Sequence, residues 1–259
     1  MKVLITVKTY PNPSASYNEL VCTAGVREDG SLVRLYPIPF RYLSSKKQFK
    51  KYQWINVDVK QSSSKDPRVE SYQISNIDSL EIVSGVVSTN NYWRERKKYV
   101  LAQGTSTMCD LWHKERNQCS LGIIRPRKVE RLIVSKGASD WNYRWEGMVR
   151  QKSMYEPTGK PLEMMPYKFS YKFRCEEEGC RGHTMMITDW ELFSLFRKIR
   201  EKSGNDDVAI EKVQEKFFHQ ICGPNRDTHF FVGTVKKHGS WIVIGTFWPP
   251  LVKQMGLGF

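Results

Sequence analysis

Leu20-Val-Cys-Thr-Ala-Gly-Val26 leads through Arg27-Glu-Asp-Gly-Ser31 into Leu32-Val-Arg-Leu-Tyr36. Two runs of β-forming residues separated by Asp29-Gly30 predict a tight β-hairpin, because glycine supplies the positive φ that such a turn needs. Upstream, Val3 to Tyr10 is also rich in β-formers. Downstream, Gln53 to Lys60 alternates Ile55, Val57 and Val59 with polar neighbours, the pattern of a half-buried strand. Residues 1–77 therefore read as a small, strongly bent sheet or partial barrel, a shape that oligonucleotide-binding barrels share with many others.

From Asp78 the pattern turns helical. Thr89 or Asn90 can cap a segment running to Leu101, and Thr105 to Asn117 fits a second short helix. Ser120 to Ile124 and Lys128 to Val134 return to strand character. Gly137 to Pro166 is rich in tryptophan and punctuated by Gly and Pro, and reads as an ordered loop. Tyr167, Phe169, Tyr171 and Phe173 then alternate with Lys168, Lys172 and Arg174 along one strand. Asn205 or Asp206 can cap a helix from Val208 to Ile221, and two strands, Thr228 to Val235 and Ser240 to Phe247, are joined through Lys237-His238-Gly239. Segregated strands and helices make this an α+β chain. It divides into a β-rich module (1–77), a basic helical and aromatic-rich middle (78–165) and a C-terminal zinc knuckle with helices and a β-hairpin (166–259), all of which could pack as one domain.

The 259 residues carry 41 Lys+Arg against 27 Asp+Glu, a formal charge of +14, with 40% hydrophobic residues to form a core. The excess lies in the middle: residues 1–91 carry +4, residues 92–174 carry +10, and the remainder is neutral. No apolar stretch is long enough for a signal peptide or a membrane span, so a soluble, cytoplasmic protein without a membrane partner is expected. Its six cysteines are then reduced thiols or metal ligands.

Three basic runs stand out: Lys46, Lys47, Lys50 and Lys51, with Arg41 before them; Arg94, Arg96, Lys97 and Lys98; and Arg125, Arg127 and Lys128, with Arg131 after them. Aromatic residues accompany them, with Tyr42 and Tyr52 at the first, Tyr92, Trp93 and Tyr99 at the second, and Trp141, Tyr143 and Trp145 after the third. Cations for phosphates with flat rings for bases point to nucleic acid, DNA ahead of RNA. Trp93 joins the eleven cations of the runs themselves as a candidate contact.

Cys175-Glu-Glu-Glu-Gly-Cys180-Arg-Gly-His183 offers three soft or borderline donors on one glycine-containing turn, the donor types of a tetrahedral structural zinc site. A closed site needs a fourth ligand. Cys222 is the first candidate, followed by His219, Cys109, Cys119 and His113.

The string Pro166-Tyr-Lys-Phe-Ser-Tyr-Lys-Phe-Arg-Cys175, with Cys180, His183, Asp189-Trp190-Glu191, Phe230-Phe-Val-Gly233 and Trp248-Pro-Pro250, resembles a bacterial family associated with mobile elements and phage-defence neighbourhoods. Val21-Cys-Thr-Ala-Gly25 and Arg34-Leu-Tyr-Pro37 are similar to it as well. The resemblance implies a genomic setting, namely phage defence, and brings no activity with it.

Asp189 and Glu191 are the candidate catalytic carboxylates. Thr188 followed three residues later by Glu191 also fits a capping box, with Leu192, Leu195, Phe196 and Ile199 as the apolar stripe of the helix it would start. No P-loop, dinucleotide-binding glycine pattern or nucleophile elbow is present. The sequence thus reads first as a nucleic-acid-binding protein. A nuclease or base glycosylase working through Asp189 or Glu191 is the alternative, and a scaffold for an acidic protein partner is the second.

Overall fold

The structure is a computed structural model that describes residues 1–14, 18–62, 66, 68–115, 118–137, 162–235 and 239–252. Its N-terminal part contains β1 (Lys2–Lys8), β2 (Asn12–Ser14), β3 (Asn18–Val26), β4 (Leu32–Ile38), β5 (Trp54–Gln61) and β6 (Ser71–Ile82). The expected hairpin joins β3 to β4. Gly30 takes a φ of 80°, and the Asp29 carboxylate accepts from the Ser31 amide at 3.0 Å, closing the turn.

β1 pairs with both β3 and β5, β5 with β6, β6 with β4, and β4 with β3, so five strands close into a barrel. Only the β4–β6 pair is parallel. This is a five-stranded barrel of the general kind that oligonucleotide-binding folds use. Val3, Ile5, Val21, Val33, Leu35, Ile55, Val57 and Leu80 fill it. At Gly25 the strands approach so closely that a Cβ would meet the Leu4 carbonyl oxygen, which excludes any larger residue.

β6 continues through Asp78 to Ile82, where the sequence pattern suggests helix. Leu80 is buried in the barrel and Ile82 pairs with Ile55, so tertiary pairing overrides local preference there. The basic middle follows as α1 (Asn90–Val100) and α2 (Met108–His113).

The C-terminal part comprises β7 (Leu121–Ile124), β8 (Pro126–Lys136), β9 (Tyr167–Cys175), β10 (His183–Met186), α3 (Trp190–Ser203), α4 (Asp206–Gln214), a π-helical turn (Glu215–Gln220), β11 (His229–Thr234) and β12 (Trp241–Phe247). Its strands form two antiparallel sheets, β10-β9-β8 and β12-β11-β7. The alternating rings of β9 point inward as expected, and Tyr171 stacks on Phe230 of the other sheet with centroids 4.6 Å apart. Trp141, Tyr143 and Trp145, and the turn residues Lys237 and His238, lie outside the described residues.

The N-cap of α3 is Asp189, whose carboxylate accepts from the Glu191 amide, rather than Thr188 as the spacing suggests. Both residues can cap, but only Asp189 also meets a cation there, as described below. Leu192 and Phe196 anchor the helix in the core, and Gly204, at φ 67°, ends it.

The outer face of the barrel is apolar where Leu4, Val7, Ala24 and Val26 meet Leu121, Ile123, Phe231 and Ile244 of the C-terminal part. The buried Arg34 guanidinium donates from β4 to Ser71, to the Ser120 hydroxyl and to the Ser120 carbonyl. Glu70 accepts from the amide and hydroxyl of Ser120. Part of the outer β3–β4 face is therefore occupied by the chain's own C-terminal part.

Candidate functional site

Four side chains of metal-ligating type meet beside β9. Cys175 ends that strand, His183 starts β10, Cys180 sits in the turn between them, and Cys109 reaches in from α2, with all four donor atoms within 4.8 Å of one another. Gly179 and Gly182 adopt φ values of 83° and 93°, which lets the connection fold into a tight knuckle. His183 Nε2 lies 3.4 Å from the Sγ atoms of both Cys109 and Cys180. Donors 2.0–2.3 Å from a tetrahedral ion sit roughly 3.3–3.8 Å apart, a range that the two His183 distances already meet, so the cluster could hold a metal ion. Amides already point at the sulfurs: Met108 donates to Cys175, and Cys175 and Gly182 donate to Cys180.

α2 is held in place for this task. Thr107 caps it by accepting from the Asp110 amide, and the same hydroxyl donates to Glu177 in the knuckle at 2.9 Å. Met108 and Leu111 are buried beneath it. Cys222, the first candidate for the fourth ligand, is not in the cluster. Its Sγ donates to the Phe217 carbonyl, and burial pushes its thiol up to about 12. Cys109, 66 residues before Cys175, takes that place; nothing in its local spacing singles it out from Cys119 or His113.

The basic runs separate in space. In the first, Lys46 and Lys50 are exposed, Lys47 pairs with Asp78 at 3.2 Å, and Lys51 turns inward. Lys51 Nζ lies 3.0 Å from both oxygens of the fully buried Asp189 and 3.0 Å from Glu191. Burial opposes the Lys51 charge, but the two carboxylates outweigh it and raise its pKa. Lys51 is therefore not presented to a ligand, and Asp189 caps α3 and pairs with lysine without opening into a cleft.

In the second run Arg94 and Lys98 are exposed, while Arg96 is buried with its guanidinium 3.9 Å from the Tyr52 ring centroid. Trp93 is wedged against Phe247 and Trp248, at centroid distances of 5.5 and 5.2 Å. Lys97 and Arg125 of the third run both lie near enough to His229 to disfavour its protonation, though burial is the larger cause of its lowered pKa. The second and third runs thus approach each other at β11.

Between Arg125 and the Cys/His cluster lie three cavities that share lining residues. One cavity of about 400 Å³ is lined by Arg125, Arg127, Lys128 and Arg226 among others. A second, of about 710 Å³, is lined by the same Arg127 and Lys128 together with Arg174 and Arg181. A third, of about 500 Å³, shares Arg181 and Cys180 with the second and continues to Cys109, Trp112 and His183. Arg125 is partly neutralised by Asp227, 2.8 Å away, and Arg174 by Glu130, 2.9 Å away. Arg127, Lys128 and Arg181 are exposed and form no ion pair with another described residue. Arg174, Arg181 and Arg226 stand apart from the basic runs, and the sequence does not mark them as nucleic-acid contacts.

A family model matches residues 103–258, from just before α2 to beyond the last strand. The chain belongs to that family, the domain of unknown function DUF8757. A second family model, the domain of unknown function DUF8758, matches residues 1–102, which contain the barrel and α1. The Cys/His cluster and the three cavities thus lie wholly within the DUF8757 part. No curated protein matches the chain. Among solved structures, a murine DNA-binding protein bound to double-stranded DNA is similar at a TM-score of 0.33 and 10% identity, over 98% of this chain and 96% of that one. Among the described residues no helix is long and apolar enough to cross a membrane.

Proposed function

We propose that the protein binds nucleic acid, with DNA the first candidate, along a groove formed by the three cavities between Arg125 and the Cys/His cluster. The observation that carries this reading is the series of three cavities linked by Arg127, Lys128 and Arg181, exposed cations that form no ion pair with a described residue. Phosphates need such cations in a row, whereas an acidic protein surface is served as well by scattered ones. Part of the outer β3–β4 face of the barrel is covered by the C-terminal part, so this reading uses the basic cavities instead.

Cys109, Cys175, Cys180 and His183 hold zinc in a structural role, fixing one wall of the groove. Three thiolates and an imidazole suit zinc, and four protein ligands leave no open position for a reacting water. Nuclease or glycosylase action through Asp189 is disfavoured by its burial and its pairing with Lys51. The cytoplasm, which keeps thiols reduced, is the proposed compartment, and phage defence the proposed setting.

Affinity for a generic duplex should fall steeply with salt, and replacing both Arg127 and Lys128 with Ala should flatten the log–log slope by roughly two units. An unchanged slope, or no binding of DNA or RNA at low salt, would reject the groove and favour an acidic protein partner. Metal analysis should find about one zinc per chain. Cys109→Ser should lose it and Cys222→Ser should keep it, and chelation should lower the melting temperature. Full metal retention by Cys109→Ser would refute this ligand set.

A further inference from the structure

We propose that the cavity beside the metal cluster receives an unstacked base of the bound strand, which stacks on Trp112. This inference rests on the groove reading and extends it from phosphate contacts to a class of nucleic acid. Trp112 is 58% exposed, unusual for so large an apolar ring, and it lines the 500 Å³ cavity. That volume lies within the range of small-molecule sites.

Its position is fixed from below. Met108 and Leu111 bury the inner side of α2, Cys109 ties the helix to the cluster one turn before Trp112, and Thr107 links it to the knuckle. A helix held in this way presents Trp112 from a fixed backbone, so its docking costs little backbone freedom.

The lining suits a base. Glu178 stands in the wall of this cavity and not of the adjoining one, together with His183 and Met185, while Glu177 is shared by both. Carboxylates accept hydrogen bonds from exocyclic amino groups, which cytosine, adenine and guanine carry. Arg181 lines this cavity and the adjoining one with Arg127, Lys128 and Arg174. A strand whose phosphates follow those cations would thus bring its base to Trp112. A base paired and stacked in a regular duplex cannot enter, so single strands and duplexes with an unpaired base are the preferred ligands.

The test compares three DNA probes of equal length, a single strand, a duplex with one unpaired base and a perfect duplex, on the full-length, metal-loaded protein. Trp112→Ala should weaken binding of the first two by roughly 5- to 150-fold, while leaving perfect-duplex affinity and its salt slope unchanged. Trp112→Phe should restore most of the loss, and 2-aminopurine at the unpaired position should change its emission with the wild type and not with Trp112→Ala. Zinc content and melting temperature of the variants confirm that the cluster is intact. Equal affinity of wild type and Trp112→Ala for the unpaired probes overturns this inference and leaves the groove standing. Failure of the wild type to bind any probe overturns both.

Discussion

Lys8 and Lys51 face one another's charge across the end of the barrel and resolve it differently. Lys51 is surrounded by carboxylates and stays charged. Lys8 Nζ sits 4.2 Å from the Phe40 ring centroid and 5.6 Å from that of Trp190, donating to the Phe49 carbonyl at 3.2 Å. Burial first, and repulsion from Lys51 second, push its pKa down from 10.5 to about 8. The folded state therefore releases this proton at lower pH than the unfolded state does. Below pH 8 the folded protein carries the cost of a desolvated ammonium; between about 8 and 10.5 that cost disappears, so stability from this group rises with pH. Lys8→Met should gain on the order of 2–3 kcal/mol over wild type at pH 7, an advantage that shrinks to near zero by pH 10.5. Denaturant unfolding of both proteins across that range checks it, and a pH-independent difference refutes it. None of this was legible in the sequence. Lys46 to Lys51 reads as one solvated run, yet Tyr52 takes a φ of 63° and its amide donates to the Ile5 carbonyl, a long-range contact that turns Lys51 inward.

Elements with strong local signals were legible, and those defined by distant partners were not. The Asp29-Gly30 turn, the alternating rings of β9 and the Cys175–Cys180–His183 knuckle each carry their signal within a dozen residues. Cys109 and the closure of the barrel depend on pairings between distant parts of the chain, which spacing does not encode. α1 shows a third case: its start looks ordinary, yet Asn91, Tyr92 and Trp93 hold φ values of 50°, 55° and 63°. Left-handed backbone costs a non-glycine residue roughly 1–2 kcal/mol. The anchors that sustain it are Trp93 against Phe247 and Trp248, and Arg96 donating to the Val87 carbonyl. Glycine in a helix ordinarily destabilises by about 1 kcal/mol relative to alanine. Here the sign should reverse: Tyr92, 54% exposed, contributes little packing, so Tyr92→Gly should stabilise by about 1 kcal/mol while Tyr92→Ala should not. Chemical denaturation of the two variants decides it, and equal or greater stability of Tyr92→Ala would reject the strain.

The two family models meet between residues 102 and 103, and it is natural to treat the chain as two separable domains there. The packing argues otherwise. The same core cluster contains Leu4, Val7, Ala24, Val26, Tyr52 and Trp54 from one side of that boundary, and Leu121, Ile123, Phe231, Ile244 and Phe247 from the other. Tyr10 donates its amide to the Thr188 carbonyl at 2.7 Å across the same seam. Lys51 and Asp189, buried against each other, would each lose its principal partner on separation, and an unpaired buried charge is strongly destabilising. Arg34 would lose Ser120 as well. Residues 1–102 expressed alone should therefore expose a contiguous apolar face, bind ANS and self-associate, even though the barrel's own interior is complete. Co-expression with residues 103–259 should restore a soluble 1:1 complex. Light scattering and ANS fluorescence give the readout: a monodisperse fragment 1–102 that unfolds cooperatively without binding dye would show that the barrel does not need this interface.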